Sequence, residues 1–172
     1  MTDFKEAYDA VERLIEERYK IPVYISDVLD PNTGDFDGVR IMIDYANDLE
    51  IALFVLIHLF GHTIQWNLSE EFRIIGQETR EHRTEEEIAL VYKYECDATR
   101  YSLSLMHEAG VTDMDRWVSD WFNADWKFLR HFYRTGEKLD VKKLFVPGEG
   151  ELLTPLEIPH FEPQQWISRF SF

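Results

Sequence analysis

The stretch Phe54-Val55-Leu56-Ile57-His58-Leu59-Phe60-Gly61-His62-Thr63-Ile64 sets two histidines four residues apart inside an almost unbroken apolar run. On a helix that spacing puts both side chains on one face, with β-carbons ~5–6 Å apart, so His58 and His62 aim their rings at one point. Asn47, with Glu50 three residues on, reads as a capping box that opens this helix, and the pattern carries it to about Trp66 or Asn67. Ile51, Leu53, Phe54, Val55, Leu56, Ile57, Leu59, Phe60 and Ile64 leave no polar face. A helix apolar all round belongs in the middle of a domain.

Working outward, Asp3 to Tyr19 spaces Phe4, Ala7, Tyr8, Val11, Leu14, Ile15 and Tyr19 as one face of an amphipathic helix. Pro22–Asp27 and Gly38–Asp44 alternate with period two, and the turn sequence Asp30-Pro31-Asn32-Thr33-Gly34 lies between them. This predicts two neighbouring antiparallel strands. Thr84 with Glu87 makes a second capping box, opening a helix to about His107. A further helix is expected from about Asp113 to Arg134, capped by Thr112 and ended by Gly136, with Trp117, Trp121, Phe128 and Phe132 near one stripe. Beyond it, prolines and glycines break any long element, yet Leu152, Leu153, Phe161, Trp166, Phe170 and Phe172 are too apolar to leave in water. The expectation is a single domain over 1–172, of α+β class: mostly helical, with a small antiparallel sheet and residues 137–172 as a packed, extended C-terminal tail.

With 172 residues the chain can bury a real core, about 70% of its unfolded surface. Eighteen Lys and Arg against 33 Asp and Glu give a net charge of −15, a field that repels phosphate backbones and argues against nucleic acid as a partner. One cysteine, Cys96, makes no internal bridge and fits a reducing compartment; with a polar N-terminus lacking a secretory pattern, this predicts a cytoplasmic protein. The apolar run Ile51–Ile57 falls short of the ~20 residues of a membrane span, so no membrane association is expected.

Two imidazoles on one face of a buried helix need partners, since an unpaired buried nitrogen costs ~1–3 kcal/mol. A shared metal ion is one solution; hydrogen bonds to carbonyls or carboxylates are the other. A third ligand comes from Tyr94-Glu95-Cys96-Asp97-Ala98-Thr99-Arg100-Tyr101. Glu95 shares a helical stripe with Ile88, Val91, Tyr92, Ala98, Thr99, Ser102, Leu105 and Met106, where a carboxylate must be paired or metal-bound, whereas Asp97 has Lys93 four residues before it. His58, His62 and Glu95 are therefore the candidate metal ligands, and a salt bridge from Glu95 to a histidine is the alternative. His82, His107, His131 and His160 show no ligand spacing with the pair.

In the metallopeptidase signature H-E-x-x-H the histidines bind zinc and the intervening glutamate deprotonates the metal-bound water. Here Leu59 stands where that glutamate would be. The strand pair, the helix with H-x-x-G-H and the helix with E-x-x-A and a trailing aromatic resemble the ImmA/IrrE family of zinc-dependent peptidases over roughly 22–106. The resemblance implies a zincin-like fold, with His58, His62 and Glu95 as zinc ligands and Gly61, Ala98 and Tyr101 on the family's glycine, alanine and aromatic. Thr99 departs from the usual asparagine and Leu59 from the catalytic glutamate. It also implies that strand Gly38–Asp44 edges a groove where an extended peptide adds.

Three functions follow as expectations. The first is a degenerate zinc peptidase that binds a protein or peptide segment. The second is an active hydrolase with a base from the tail, where Glu157, His160 and Glu162 lie; Glu85, Glu86 and Glu87 sit on a first helical turn, where dipole complementarity explains them. The third is a metal-free acidic interaction protein.

Overall fold

A computed structural model describes residues 1–29 and 32–167. The chain opens with α1 (Phe4–Arg18), capped by Asp3, whose carboxylate accepts from the Lys5 and Glu6 amides; Ala7, Tyr8, Val11 and Ile15 form its buried face. Then come β1 (Val23–Ser26), β2 (Gly34–Phe36) and β3 (Ile41–Asp44), hydrogen-bonded in the order β1-β3-β2. The fold is α+β and mostly helical.

The sheet corrects the sequence reading in its direction. β1 and β3 are neighbours as expected, but they run parallel, in register from Val23 opposite Ile41 to Ser26 opposite Asp44. The chain uses the connection to lay down β2, which pairs antiparallel with β3 from Gly34 opposite Ile43 to Phe36 opposite Ile41. The tight turn is therefore at 37–40, where Asp37 Oδ1 accepts from the Val39 and Arg40 amides and Gly38 takes φ 95°. Of the turn expected at Asp30 to Gly34, Asp30 and Pro31 lie outside the described residues, and Gly34 starts β2. Because β3 is central, it has no free edge for a peptide; the open edges belong to β1 and β2.

α2 (Leu49–Leu68) is the central helix, with α1, the sheet and α4 packed round it. Its cap is Asp48, one residue later than read: the Asp48 carboxylate accepts from the Ile51 amide, while Asn47 donates to the Thr33 carbonyl. By length and composition α2 is long and apolar enough to cross a bilayer, with mean hydropathy 1.4, which the unbroken run Ile51–Ile57 taken alone understates; 72% of that stretch is buried inside the fold. A helix not anticipated, α3 (Glu70–Gln77), follows at once, because Ser69 both ends α2 and caps α3 through its hydroxyl and the Phe72 amide. α4 (Glu85–Glu108) begins at the Thr84–Glu87 capping box as read. α5 (Asp115–Thr135) starts after Met114 with no side-chain cap, so Thr112 does not serve, and it ends at Gly136 with φ 74°.

After α6 (Val141–Leu144) the tail runs extended over the domain. Asp120, buried in α5, accepts from the Gly148 and Gly150 amides at 2.7 and 3.0 Å. The Leu156 amide and carbonyl bond the Arg100 carbonyl and the Ser104 hydroxyl of α4. Phe161 stacks on Tyr19, and Trp166 lies over the Arg73 guanidinium with its amide on the Asp37 carbonyl. Leu152 stays exposed, and Phe170 and Phe172 lie outside the described residues.

Candidate metal centre

What brings the three candidate ligands together is a close crossing of α2 and α4. A β-carbon on Gly61 would lie 2.7 Å from the Ala98 carbonyl carbon and 2.9 Å from its Cα, so only glycine lets the two backbones approach this far. The Ser102 hydroxyl bridges the same crossing by donating to the Ile57 carbonyl at 2.8 Å. Glu95 sits one turn before Ala98 on α4, and the crossing points it at His58 and His62 on α2.

The three ligand atoms converge. His58 Nε2 and His62 Nε2 lie 3.0 and 3.1 Å from Glu95 Oε2, and 3.0 Å from each other. The side chains are 13%, 7% and 9% exposed for His58, His62 and Glu95. Each imidazole nitrogen has a single in-plane position for a proton or a lone pair. With protons alone, an N–H on both rings crowds one against the other across 3.0 Å, whereas a bare nitrogen faces the carboxylate. A cation at the shared point serves all three at once. Ligand atoms about 2.0–2.1 Å from a tetrahedral ion stand roughly 3.3–3.4 Å apart, so the triad needs only a few tenths of an ångström of expansion to hold one. The group fits a metal ion.

Burial pushes the Glu95 carboxyl up, but the two imidazoles, His62 foremost, in contact with its Oε2 pull it down harder. It ends well below the usual carboxylate range, and Glu95 is an anion in the fold.

Aromatic rings fix the imidazoles. His62 stacks with Tyr94, at 4.3 Å and 22°, and with Phe36 of β2, at 6.0 Å and 15°; His58 stacks on Phe54. Gln65 completes the support, its Oε1 2.9 Å from His62 Nδ1 and its Nε2 donating to the Tyr94 carbonyl. Sequence reading missed Gln65. The signal was present: a side-chain amide three positions after His62, on the same face of the helix. His58 Nδ1, by contrast, is buried without a hydrogen-bond partner among the described residues.

Leu59 turns toward β2, since a β-carbon on Gly34 would meet its Cδ1 at 2.8 Å. The acids considered as substitute bases are otherwise engaged. Glu85 pairs with Arg134, Glu87 closes the capping box, and Glu157, His160 and Glu162 are exposed on the tail, the last two paired with each other. Thr99 bonds its hydroxyl back to the Glu95 carbonyl. On the buried stripe of Glu95, Tyr92 is the exception: it lies partly exposed, against Trp126 of α5. Two surface cavities, of about 350 Å³ between α1 and the end of α4 and about 130 Å³ between α3 and α4, are lined by none of His58, His62 and Glu95.

No family model matches the chain, and neither does a curated protein or a solved structure.

Proposed function

We propose that this chain is a degenerate zinc-metallopeptidase-like protein of zincin type, in which His58, His62 and Glu95 hold zinc and the surface beside them binds a protein or peptide segment with little or no proteolysis. The carrying observation is that two imidazoles and a carboxylate from separate helices meet within 3.1 Å while the neighbouring position that would carry a base is Leu59. A nitrogen-nitrogen-oxygen set suits zinc, which when bound supplies Lewis acidity and an open position for a small ligand. What this chain's residues withhold is proton transfer: Leu59 neither accepts nor donates, and general acid-base help is worth about 10²–10⁴ in rate. For the segment that binds, the open edge of β2 is the nearer template, since Phe36 of β2 stacks on His62 and Gly34 of β2 touches Leu59.

Metal content decides the first half of this reading. Purified wild-type protein carries about one zinc per chain, and His58→Ala carries none; a metal-free wild type would favour a hydrogen-bonded triad in an acidic interaction protein, which distances near 3.0 Å also suit. A peptide library decides the second. Wild type leaves it intact and Leu59→Glu cleaves it in a chelator-sensitive way, whereas chelator-sensitive cleavage by wild type refutes the binding-module reading.

A further inference from the structure

Resting on the reading of the triad as a cation site, we infer that Gln65 is the positioning residue that makes it one, by holding His62 in the tautomer whose Nε2 is bare. Gln65 is 1% exposed, and its Nε2 is committed to the Tyr94 carbonyl at 2.8 Å, which leaves Oε1 facing His62 Nδ1 at 2.9 Å. An amide oxygen only accepts, so Nδ1 is the nitrogen that carries the proton. In the neutral ring Nε2 then has only its lone pair, and it points at Glu95 Oε2, 3.1 Å away, and at His58 Nε2, 3.0 Å away.

The ring has no cheap escape. Turning it over would trade both nitrogens for carbons, losing the Gln65 contact and the convergence together, and the Tyr94 and Phe36 faces hold its plane. A lone pair held against a carboxylate in a buried place is relieved by a positive centre. Gln65 therefore builds the demand for a cation into the fold before any cation arrives, and it ties that demand to α4 through the residue next to Glu95. His58 has no such lock, because its Nδ1 lacks a partner among the described residues. The two imidazoles are thus unequal: His62 is preset to bind, and His58 adapts its tautomer.

The test reads the tautomer directly. In metal-free wild type, a long-range ¹H–¹⁵N correlation spectrum of the imidazoles shows His62 protonated at Nδ1; in Gln65→Met, which keeps the volume and removes the acceptor, the proton moves to Nε2. Zinc affinity, by competition with a chromophoric chelator, falls about 10–100-fold in Gln65→Met. In Gln65→Glu, which restores an acceptor, it returns toward wild type. A merely structural glutamine would leave the tautomer unmoved. Protonation at Nε2 in wild type, or wild-type affinity in Gln65→Met, overturns the inference. Should Gln65→Met fail to fold, the wild-type spectrum still decides it; should wild type take up no zinc, the reading of the centre falls, while the same spectrum independently supports or refutes the role of Gln65.

Discussion

Replacing Gly61 with alanine tests the packing that creates the site. The added β-carbon would sit 2.7 Å from the Ala98 carbonyl carbon and 2.9 Å from its Cα, where ordinary carbon contacts begin near about 3.5 Å. These neighbours are backbone, so the strain is relieved only by parting α2 and α4 by a large fraction of an ångström. Overpacking of this kind costs about 1–3 kcal/mol, against which alanine recovers up to about 1 kcal/mol of helix propensity. The net loss expected is therefore about 1–2 kcal/mol, or roughly 2–8 °C in Tm for a domain of this size. The larger effect falls on the metal. Ala98 lies one turn from Glu95, and metal–ligand distances tolerate only about ±0.2 Å, so parting the helices withdraws the carboxylate. Thermal melts with and without zinc, with a chelator competition titration, should show Gly61→Ala losing more than tenfold in affinity for a modest loss of metal-free stability. Unchanged affinity and Tm would refute the claim that this crossing sets the triad.

Three further outcomes follow from the same geometry. Stripping metal with a chelator lowers Tm by about 5–10 °C, because free zinc at 100 times its Kd adds about 2.7 kcal/mol, and Glu95→Gln, which folds but holds no ion tightly, shows no such drop in a parallel melt. Because its pKa is lowered in the fold, metal-free Glu95 adds stability that is complete above the usual carboxylate range and drains away as pH falls through the lowered value, so acid titration of Glu95→Gln should show a flatter decline than wild type. If His58, His62 and Glu95 hold zinc as proposed, metal content measured against pH should fall on acidification, since imidazole ligands must be unprotonated. Asp120→Ala strands the Gly148 and Gly150 amides, costing about 1–3 kcal/mol, and limited proteolysis should then cut first between residues 146 and 152.

How much of this was legible in the sequence depends on how local the determinant was. The Thr84–Glu87 box, the buried stripe of Glu95 and the histidine pair are all written within a turn or two of helix, and the structure places them as read except for Tyr92 of the stripe, which is exposed. The direction of β1 against β3 is not local: it depends on β2, whose three residues are too few to show a period. α3 hid behind α2, from which only Ser69 separates it, although serine followed by two acids is a helix start. The role of Gly61 becomes visible only with its neighbour Ala98, which lies thirty-seven positions away.

The tail candidates for a replacement base are exposed, which bears on what the proposed centre could do. A residue that takes a proton beside a metal must be brought there and dried, as Glu95 is; Glu157, His160 and Glu162 remain in solvent on a segment anchored to α4 through Arg100 and Ser104. The position that is brought there, residue 59, carries a leucine whose methyl group packs on Gly34 and joins α2 to β2. Leu59 thus offers no proton acceptor and adds apolar contact between α2 and the sheet edge. The Ser102–Ile57 hydrogen bond ties α4 to α2 and the Phe36–His62 contact ties β2 to α2, so the three elements beside the triad form one frame, the rigid support that the proposed strand-edge binding would need.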